Sequence, residues 1–332
     1  MKALVTGAGG FLGRYIVERL LERGVSIRAF ARGRYPFLED MGVECIRGDI
    51  RDPDAVSEVC KGVEVVFHVA ALPGIWGPWS LFYGINTQGT RNILAACRRH
   101  GVPKLVFTSS PSVTFNGESQ EGVNESAPYP TSWLANYPRS KALAEADVLA
   151  ASGKDGLVTC ALRPHLVWGP RDPHLIPRIL ERARSGRLRR IGDGANLIDT
   201  VYVENAAEAH LLAADKLFEG SPVAGSAYFI SQGESVNCWD WINRILGLAG
   251  LPPVKKAISL PAATRLGALC EFAYWALRLK KDPPMTRFLA YQLAKPHWFD
   301  ISRAQRDFGY HPRVSTEEGM RRLDAAWSAG SV

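Results

Sequence analysis

Apolar residues in the first half of the chain fall into two alternating patterns. Short, almost wholly apolar runs stand at Lys2–Thr6, 25–30, 63–69, Lys104–Thr108 and 157–162. Runs of that length next to glycine or polar turns read as buried strands. Between them lie stretches whose apolar residues recur every three or four positions. Leu12, Ile16, Val17, Leu20 and Leu21 do so within 10–23, and Gly24 supplies a C-terminal stop. Stretches 85–100, ended by Gly101, and 137–150 read as helices in the same way. Strand–helix alternation with strands apolar on both faces predicts a parallel sheet covered on both sides.

The second half is less regular. Glycine and proline punctuate 164–172, and 186–194 is basic and glycine-containing. Such stretches suit a smaller α/β lobe that binds substrate. The expected division is a dinucleotide-binding unit over 1–165, with 195–220 returning to it, and a lobe over 166–332. Segment 258–279 is rich in Leu, Ala, Phe, Tyr and Trp but carries Arg265, Glu271 and Arg278. Three charges argue against a spanning helix and for an amphipathic one. Its apolar face reads equally as core of the lobe, as a lid over a greasy substrate, or as a membrane-surface contact.

A length of 332 residues is more than one core usually fills, consistent with a large unit and a smaller one. Net charge is +7, but no dense Lys/Arg stripe is interleaved with aromatics, so nucleic acid is not an expected partner. The six cysteines and seven histidines show no C-x-x-C or H-E-x-x-H spacing, so no metal is expected. Met1 to Gly7 run straight into a glycine turn and leave no room for a signal peptide, which points to the cytosol and reduced thiols.

Gly7, Gly10 and Gly13 stand between the first strand and the first helix. The first glycine permits a tight turn, the second lets backbone approach a pyrophosphate, and the third lets helix and strand pack closely. Phe11 and Leu12 open a helix whose free N–H groups and dipole favour phosphate. Hence the fold class is a Rossmann-type doubly wound α/β sheet, and the cofactor is a dinucleotide. At the end of the second strand, Phe30-Ala31-Arg32-Gly33-Arg34 lacks the acidic residue that usually bonds the ribose 2′-hydroxyl. Arg32 would pair with a 2′-phosphate, which favours NADP(H) and leaves NAD(H) open. Asp49, followed by Ile50, is placed to accept a bond from adenine. Tyr137 and Lys141, four apart, share a helix face. An ammonium near the phenol favours the phenolate, so Tyr137 is the candidate acid or base.

With Thr108-Ser109-Ser110 and Tyr137-Pro138-Arg139-Ser140-Lys141, the glycine start resembles an extended short-chain dehydrogenase/reductase. The run from Ala161 to Pro173, Asp199 to Ala206, Ala227 to Ser231 and Arg306 to Tyr310 resemble its 3β-hydroxysteroid dehydrogenase branch, over essentially the whole chain. Two subgroups look nearest, the sterol-4α-carboxylate 3-dehydrogenases and the bacterial 2-alkyl-3-oxoalkanoate reductases. Arg32 to Pro36, Gly74 to Gly77 and Pro284 to Leu289 look more like the second.

The resemblance implies that Ser110, with Ser109 as fallback, bonds the substrate oxygen, that Tyr137 exchanges the proton, and that Lys141 bonds the nicotinamide ribose. It implies that Val69, Ala70 and Ala71 line the cofactor, and that Pro164, His165 and Leu166 sit beside the nicotinamide. It also implies a homodimer through the helices at 85–100 and 137–150. The activity implied is interconversion of a 3-hydroxyl and a 3-ketone on a lipophilic substrate. A sugar-nucleotide epimerase or dehydratase and a non-catalytic dinucleotide sensor are the rival readings.

Overall fold

The computed structural model describes residues 1–279 and 281–330; residue 280 and the last two residues of the expected 166–332 lobe lie outside them. Seven strands form one sheet: β1 (Lys2–Thr6), β2 (Ser26–Ala31), β3 (Glu44–Arg47), β4 (Val65–His68), β5 (Lys104–Thr108), β6 (Val158–Pro164) and β7 (Ser226–Ile230). All neighbours pair in parallel, in the spatial order β7-β6-β5-β4-β1-β2-β3. Strand order reverses beside β1, and the crevice at the C-terminal strand ends there is where such sheets bind ligands.

The helices cited below are α1 (Phe11–Glu22), α2 (Gly89–Arg99), α3 (Asn136–Ala151), α4 (Leu175–Arg184), α5 (Val203–Lys216), α6 (Cys238–Leu248), α7 (Leu260–Ala276) and α8 (Arg287–Ala294). Leu12, Ile16 and Leu20 of α1 and Ala206, Ala207 and Leu211 of α5 bury one face of the sheet. Ile93 and Leu94 of α2 and Ala144 and Val148 of α3 bury the other. Helix α5 thus returns to the sheet from later in the chain, tied to α1 by Arg19–Glu204 at 2.7 Å. Strand β7, beyond the expected return at 195–220, also joins the sheet.

A separate core, built on Trp168, Trp239, Trp241, Ile242 and Met320, belongs to the lobe. Its four-stranded sheet combines Gln120–Val123, Leu197–Ile198, Val236–Asn237 and His297–Phe299. Strands of two to four residues are too short to show alternation, which is why sequence periodicity does not mark them. β3 escapes notice for another reason: it is an edge strand, and three of its four residues are exposed.

The helix expected from position 85 begins earlier. Tyr83–Gln88 forms a wider turn of π type that runs into α2. Such turns re-aim one side chain, often at functional sites. Here Asn86 turns inward: its amide oxygen accepts from Leu72 N–H at 2.7 Å, and its nitrogen donates to Leu72 O at 3.1 Å and Ser140 Oγ at 2.9 Å.

Segment 258–279 departs from the amphipathic expectation. Helix α7 buries Ala263 and Gly267, yet its outer side carries Leu266, Leu269, Phe272 and Trp275. It is apolar on both sides rather than on one: the inner side packs α8 closely, while the outer side is exposed among the described residues. A Cβ on Gly267 would stand 2.7 Å from Arg287 N. Among the described residues no helix is long and apolar enough to cross a membrane.

Candidate active site

A cleft of about 410 Å³ opens at the C-terminal strand ends. It is lined by the glycine loop, Arg32, Asp49, Ile50, Val69, Ala70, Ala71, Ser109, Ser110, Tyr137, Lys141 and Pro164, so those sequence-derived residues converge on one site. A wider groove, about 920 Å³, lies between α4 and the helix Thr316–Ser328 and holds none of Ser110, Tyr137 or Lys141.

The loop is shaped for close backbone approach. Gly7 has φ +70°, and a Cβ there would lie 2.8 Å from Ala70 N; a Cβ on Gly13 would lie 2.2 Å from Gly7 O. Larger residues would push the loop off the strands. The Tyr35 ring covers Gly9 so closely that a Cβ there would lie 2.2 Å from it. Residues 33–36 thus form a wall beside the loop. Arg32 is exposed at the rim and makes no ion pair among the described residues, whereas Arg34 pairs with Glu39. Asp49 pairs with Arg51 at 2.6 Å, and that guanidinium holds its carboxyl below the usual range.

Tyr137 sits in the first turn of α3, its ring edge against Phe82, with centroids 6.5 Å apart. Asn136 Nδ2 donates to Gly77 O at 2.9 Å and holds the loop after β4 against this helix. Lys141, one turn on, is buried. Its Nζ donates to Thr108 O at 2.6 Å and lies 3.9 Å from the Phe107 ring centroid. Burial lowers Lys141 to about 7, opposed by the Glu145 carboxylate. Burial also raises Tyr137 to about 12, and the Ser110 hydroxyl acts in the opposite direction. The lowering of Tyr137 expected from its spacing to Lys141 does not prevail. Desolvation of the phenolate outweighs it, and the ammonium is itself weakened by burial and aimed at a carbonyl.

Ser110 stands two residues after β5 and caps the turn Pro111–Thr114; its Oγ shares a hydrogen bond with Ser112 Oγ at 2.9 Å. Ser109 Oγ is buried without a partner among the described residues, so both hydroxyls remain candidates for an oxygen in the cleft. His165 and Leu166 do not line it. The His165 ring turns into the lobe and bonds His297 Nδ1 at 2.6 Å, and Leu166 takes φ +42°, which swings the chain away.

Sequence reading missed a polar relay beneath the loop. Thr90 Oγ1 donates to Asn86 O at 2.6 Å, so it accepts from His68 Nε2–H at 3.0 Å. His68 Nδ1 then accepts from Thr6 Oγ1 at 2.7 Å, and Thr6 Oγ1 accepts from Ala70 N–H at 3.1 Å. Buried and acceptor-only at Nδ1, His68 is held neutral, with its pKa lowered to about 3 chiefly by desolvation. Every donor is satisfied, and the chain ends on the backbone that closes the cleft over Gly7. A second relay braces α3: Glu145 and Arg163, both buried, pair with Nε–Oε2 at 3.0 Å. His68 and Glu145 are single polar letters in apolar runs, and only their partners, 18 to 62 residues away, give them meaning. Thr6→Val should leave the fold intact and weaken dinucleotide binding roughly tenfold by freeing Ala70, read by titrating nucleotide against protein fluorescence.

The model for the 3-beta hydroxysteroid dehydrogenase/isomerase family matches residues 4–262. The chain belongs to this family. A 2-alkyl-3-oxoalkanoate reductase of Stenotrophomonas maltophilia (strain K279a) is 50% identical over 99% of this chain and all of its own length. A mouse (Mus musculus) sterol-4-alpha-carboxylate 3-dehydrogenase, decarboxylating, is 34% identical over 97% of this chain and 89% of its own. Among solved structures, a Thermus thermophilus UDP-glucose 4-epimerase complexed with NAD superposes with a TM-score of 0.74 at 27% identity, over the whole of both chains. The protein is therefore a nicotinamide-dinucleotide-dependent oxidoreductase with 3-hydroxy/3-keto chemistry, on a Rossmann-type sheet. The family's expected residues fit the cofactor here: the glycine cradle admits a pyrophosphate, and Lys141, Tyr137 and the unpartnered Ser109 hydroxyl stand farther along the same cleft.

Proposed function

We propose that the protein reduces the 3-ketone of a 2-alkyl-3-oxoalkanoate or a closely similar long-chain 3-keto acid, preferring NADPH. The observation that carries this is Tyr137, Lys141 and Ser110 on one cleft, lined also by Leu72, Pro73, Ile85 and Val167, in a chain half identical to a reductase of that name. Apolar lining of this kind suits alkyl chains.

A bound nicotinamide would supply the hydride. Tyr137, protonated because burial keeps its pKa high, gives its proton to the carbonyl oxygen as the C–O bond becomes a hydroxyl. Ser110 donates to the same oxygen as negative charge develops there. The proton that Tyr137 gives up returns from solvent, and Lys141, anchored by Thr108 O, stands beside it in the same cleft. A substrate panel tests the assignment: 2-alkyl-3-oxoalkanoates, 4-carboxysterols and 3-ketosteroids, each with both nicotinamide cofactors. Turnover confined to the sterols would overturn it.

The NADPH preference rests on Arg32, unpaired at the rim where a ribose 2′-phosphate would lie. Arg32→Asp should weaken NADP(H) binding roughly 10- to 100-fold, the scale of one charge-assisted contact, and leave NAD(H) binding unchanged or improved. Tighter NAD(H) than NADP(H) binding in the unmodified protein would contradict this assignment. The same helices, α2 and α3, offer a homodimer contact around the exposed Leu143 and the Arg91–Asp147 pair. Sedimentation at micromolar concentration should show two chains.

A further inference from the structure

An ion pair without access to water stands one helical turn beyond Lys141. Glu145 is 0% exposed and Arg163 3%. Arg163 Nε donates to Glu145 Oε2 at 3.0 Å, and Nη2 donates to Oε1. Tyr129 OH donates to the same Oε1 at 2.7 Å. Both carboxylate oxygens are therefore occupied as acceptors, which fixes the side chain in one position. Desolvation of two charges largely offsets their attraction, so a pair at this depth adds little stability that two apolar side chains would not. Its placement shows what else it supplies.

The charges form a row across the sheet, whose strands run β7-β6-β5-β4 at this end. Lys141 stands over β5, with Nζ on Thr108 O at 2.6 Å and 3.9 Å from the Phe107 ring centroid. Toward β4 it is near enough to His68 to disfavour the charged form of that ring. In the other direction Arg163 belongs to β6, and its guanidinium lies 5.0 Å from the Phe229 ring centroid on β7. Glu145 stands between the two cations, four residues from Lys141 on the same helix and so its neighbour along one face. The carboxylate thus faces Lys141 with the charge of its partner on the far side.

No other group around Lys141 offers it a negative charge among the described residues. His68 on β4 and His210 on α5, whose Nε2 meets Thr108 Oγ1 at 2.8 Å, are neutral rings. Tyr137 is a phenol on the same helix. Tyr129 is a phenol too, kept protonated by burial and by the carboxylate to which it donates. Glu125 lies beyond Arg163 and accepts from Phe229 N–H at 2.9 Å. That leaves Glu145 to oppose the desolvation of the Lys141 ammonium.

We propose that Glu145, held by Arg163 and Tyr129, is a positioning residue for catalysis: its fixed negative charge keeps Lys141 an ammonium and so sets how far into alkaline pH the enzyme works. When Tyr137 gives its proton to the ketone, a phenolate is left in a dry site. An ammonium beside it stabilises that phenolate, and a neutral amine does not. Rising pH strips the proton from Lys141 and slows turnover, and Glu145 moves that loss to higher pH. The inference rests on the roles given above to Tyr137 and Lys141, not on which ketone is reduced.

The pH dependence of kcat/KM tests it, taken at saturating NADPH with the panel member that the unmodified protein turns over. Glu145→Gln alone strands the Arg163 charge in the interior and invites unfolding. Glu145→Met with Arg163→Met removes both charges together and strands neither. Its alkaline limb should lie at least about one pH unit below that of the unmodified protein, a roughly tenfold loss on the alkaline side, with activity on the acid side kept within about threefold. Glu145→Asp keeps the charge beside Arg163 and should hold the limb near its original place even where kcat falls. An unmoved limb in the double variant, at whatever kcat, overturns the proposal and leaves the pair a brace of α3. So does a Glu145→Asp limb displaced as far as that of the double variant, because packing rather than charge would then set it. Lys141→Met separates the inference from the reading beneath it. If its residual turnover loses the limb while the double variant keeps it, the role of Glu145 alone fails. If Lys141→Met keeps the limb as well, the limb does not report Lys141, and the role of Glu145 falls together with that of the lysine.

Discussion

Phenylalanine at position 137 should lower kcat by at least ~10²-fold while nucleotide affinity stays near that of the unmodified protein. The substitution removes one hydroxyl and keeps the ring that packs on Phe82. Tyr137 stands in the first turn of a helix held at three points: Asn136 to Gly77 O, Ser140 to Asn86, and Glu145 to Arg163. The geometry of the cleft therefore survives the loss of the hydroxyl, and the effect falls on proton transfer. Lys141→Met should behave differently. It also removes the bond to Thr108 O, so it raises the nucleotide dissociation constant as well as lowering kcat. Stopped-flow single turnover with nucleotide titration separates the two. Unchanged kcat in the Tyr137→Phe protein would remove the tyrosine from the mechanism.

Acidification below neutral should destabilise the fold progressively between roughly pH 6 and 4. Four histidines are buried and neutral, with hydrogen bonds that fix their tautomers. His68 bridges Thr6 and Thr90. His210 Nδ1 donates to Ala206 O at 2.7 Å. His297 Nε2 donates to Gln292 O at 2.8 Å, and its Nδ1 accepts from His165. Desolvation lowers His68 to about 3 and His210 and His297 to about 4, and it carries His165 well below its ordinary value.

The ordinary value is 6.5, so below that pH the unfolded chain binds one proton per histidine that the folded chain refuses. Their contribution is intact above pH 6.5 and is lost as pH falls. Asp199 works the other way. Burial raises it to about 6, so between about pH 6 and 4 the folded protein holds a proton that the unfolded chain has released. The four histidines outnumber the carboxyls raised by burial, Asp199, Asp172 and Glu125, so stability falls as pH drops. Urea midpoints at pH 7, 6 and 5 measure it. A flat profile across that range would mean that these rings are not buried in the neutral form.

Much of the catalytic half was legible because it is local. Gly7, Gly10 and Gly13 are close in sequence, and the loop they form is short. Tyr137 and Lys141 meet across one helical turn whatever the rest of the chain does. The strands β1, β2, β4, β5 and β6 announce themselves because both faces are covered, which makes them continuously apolar. Where a strand lies at an edge, as β3 does, or spans two or three residues, as in the lobe, the pattern carries no such mark.

The charges of the site were less legible than its positions. Spacing put an ammonium next to the phenol and suggested a lowered pKa. Depth in the cleft decides the sign, and burial moves Tyr137 up and Lys141 down. Likewise Asp49 reads as a free acceptor until its neighbour Arg51 occupies it. His165 reads as a neighbour of the nicotinamide until the lobe supplies His297 as its partner.

By itself the sequence determined the sheet class, the dinucleotide loop and the Tyr–Lys pair, because these depend on backbone periodicity and on residues a few positions apart. Only the tertiary structure decided which polar letters act together, since Thr6, His68, Thr90 and Asn86 are joined through hydrogen bonds that no local pattern encodes. It alone decided the standing of α7 as well. Hydropathy counts Leu269, Phe272 and Trp275 as it counts any core residue, and only the packing of Ala263 and Gly267 on the inner side shows that these three were left facing out.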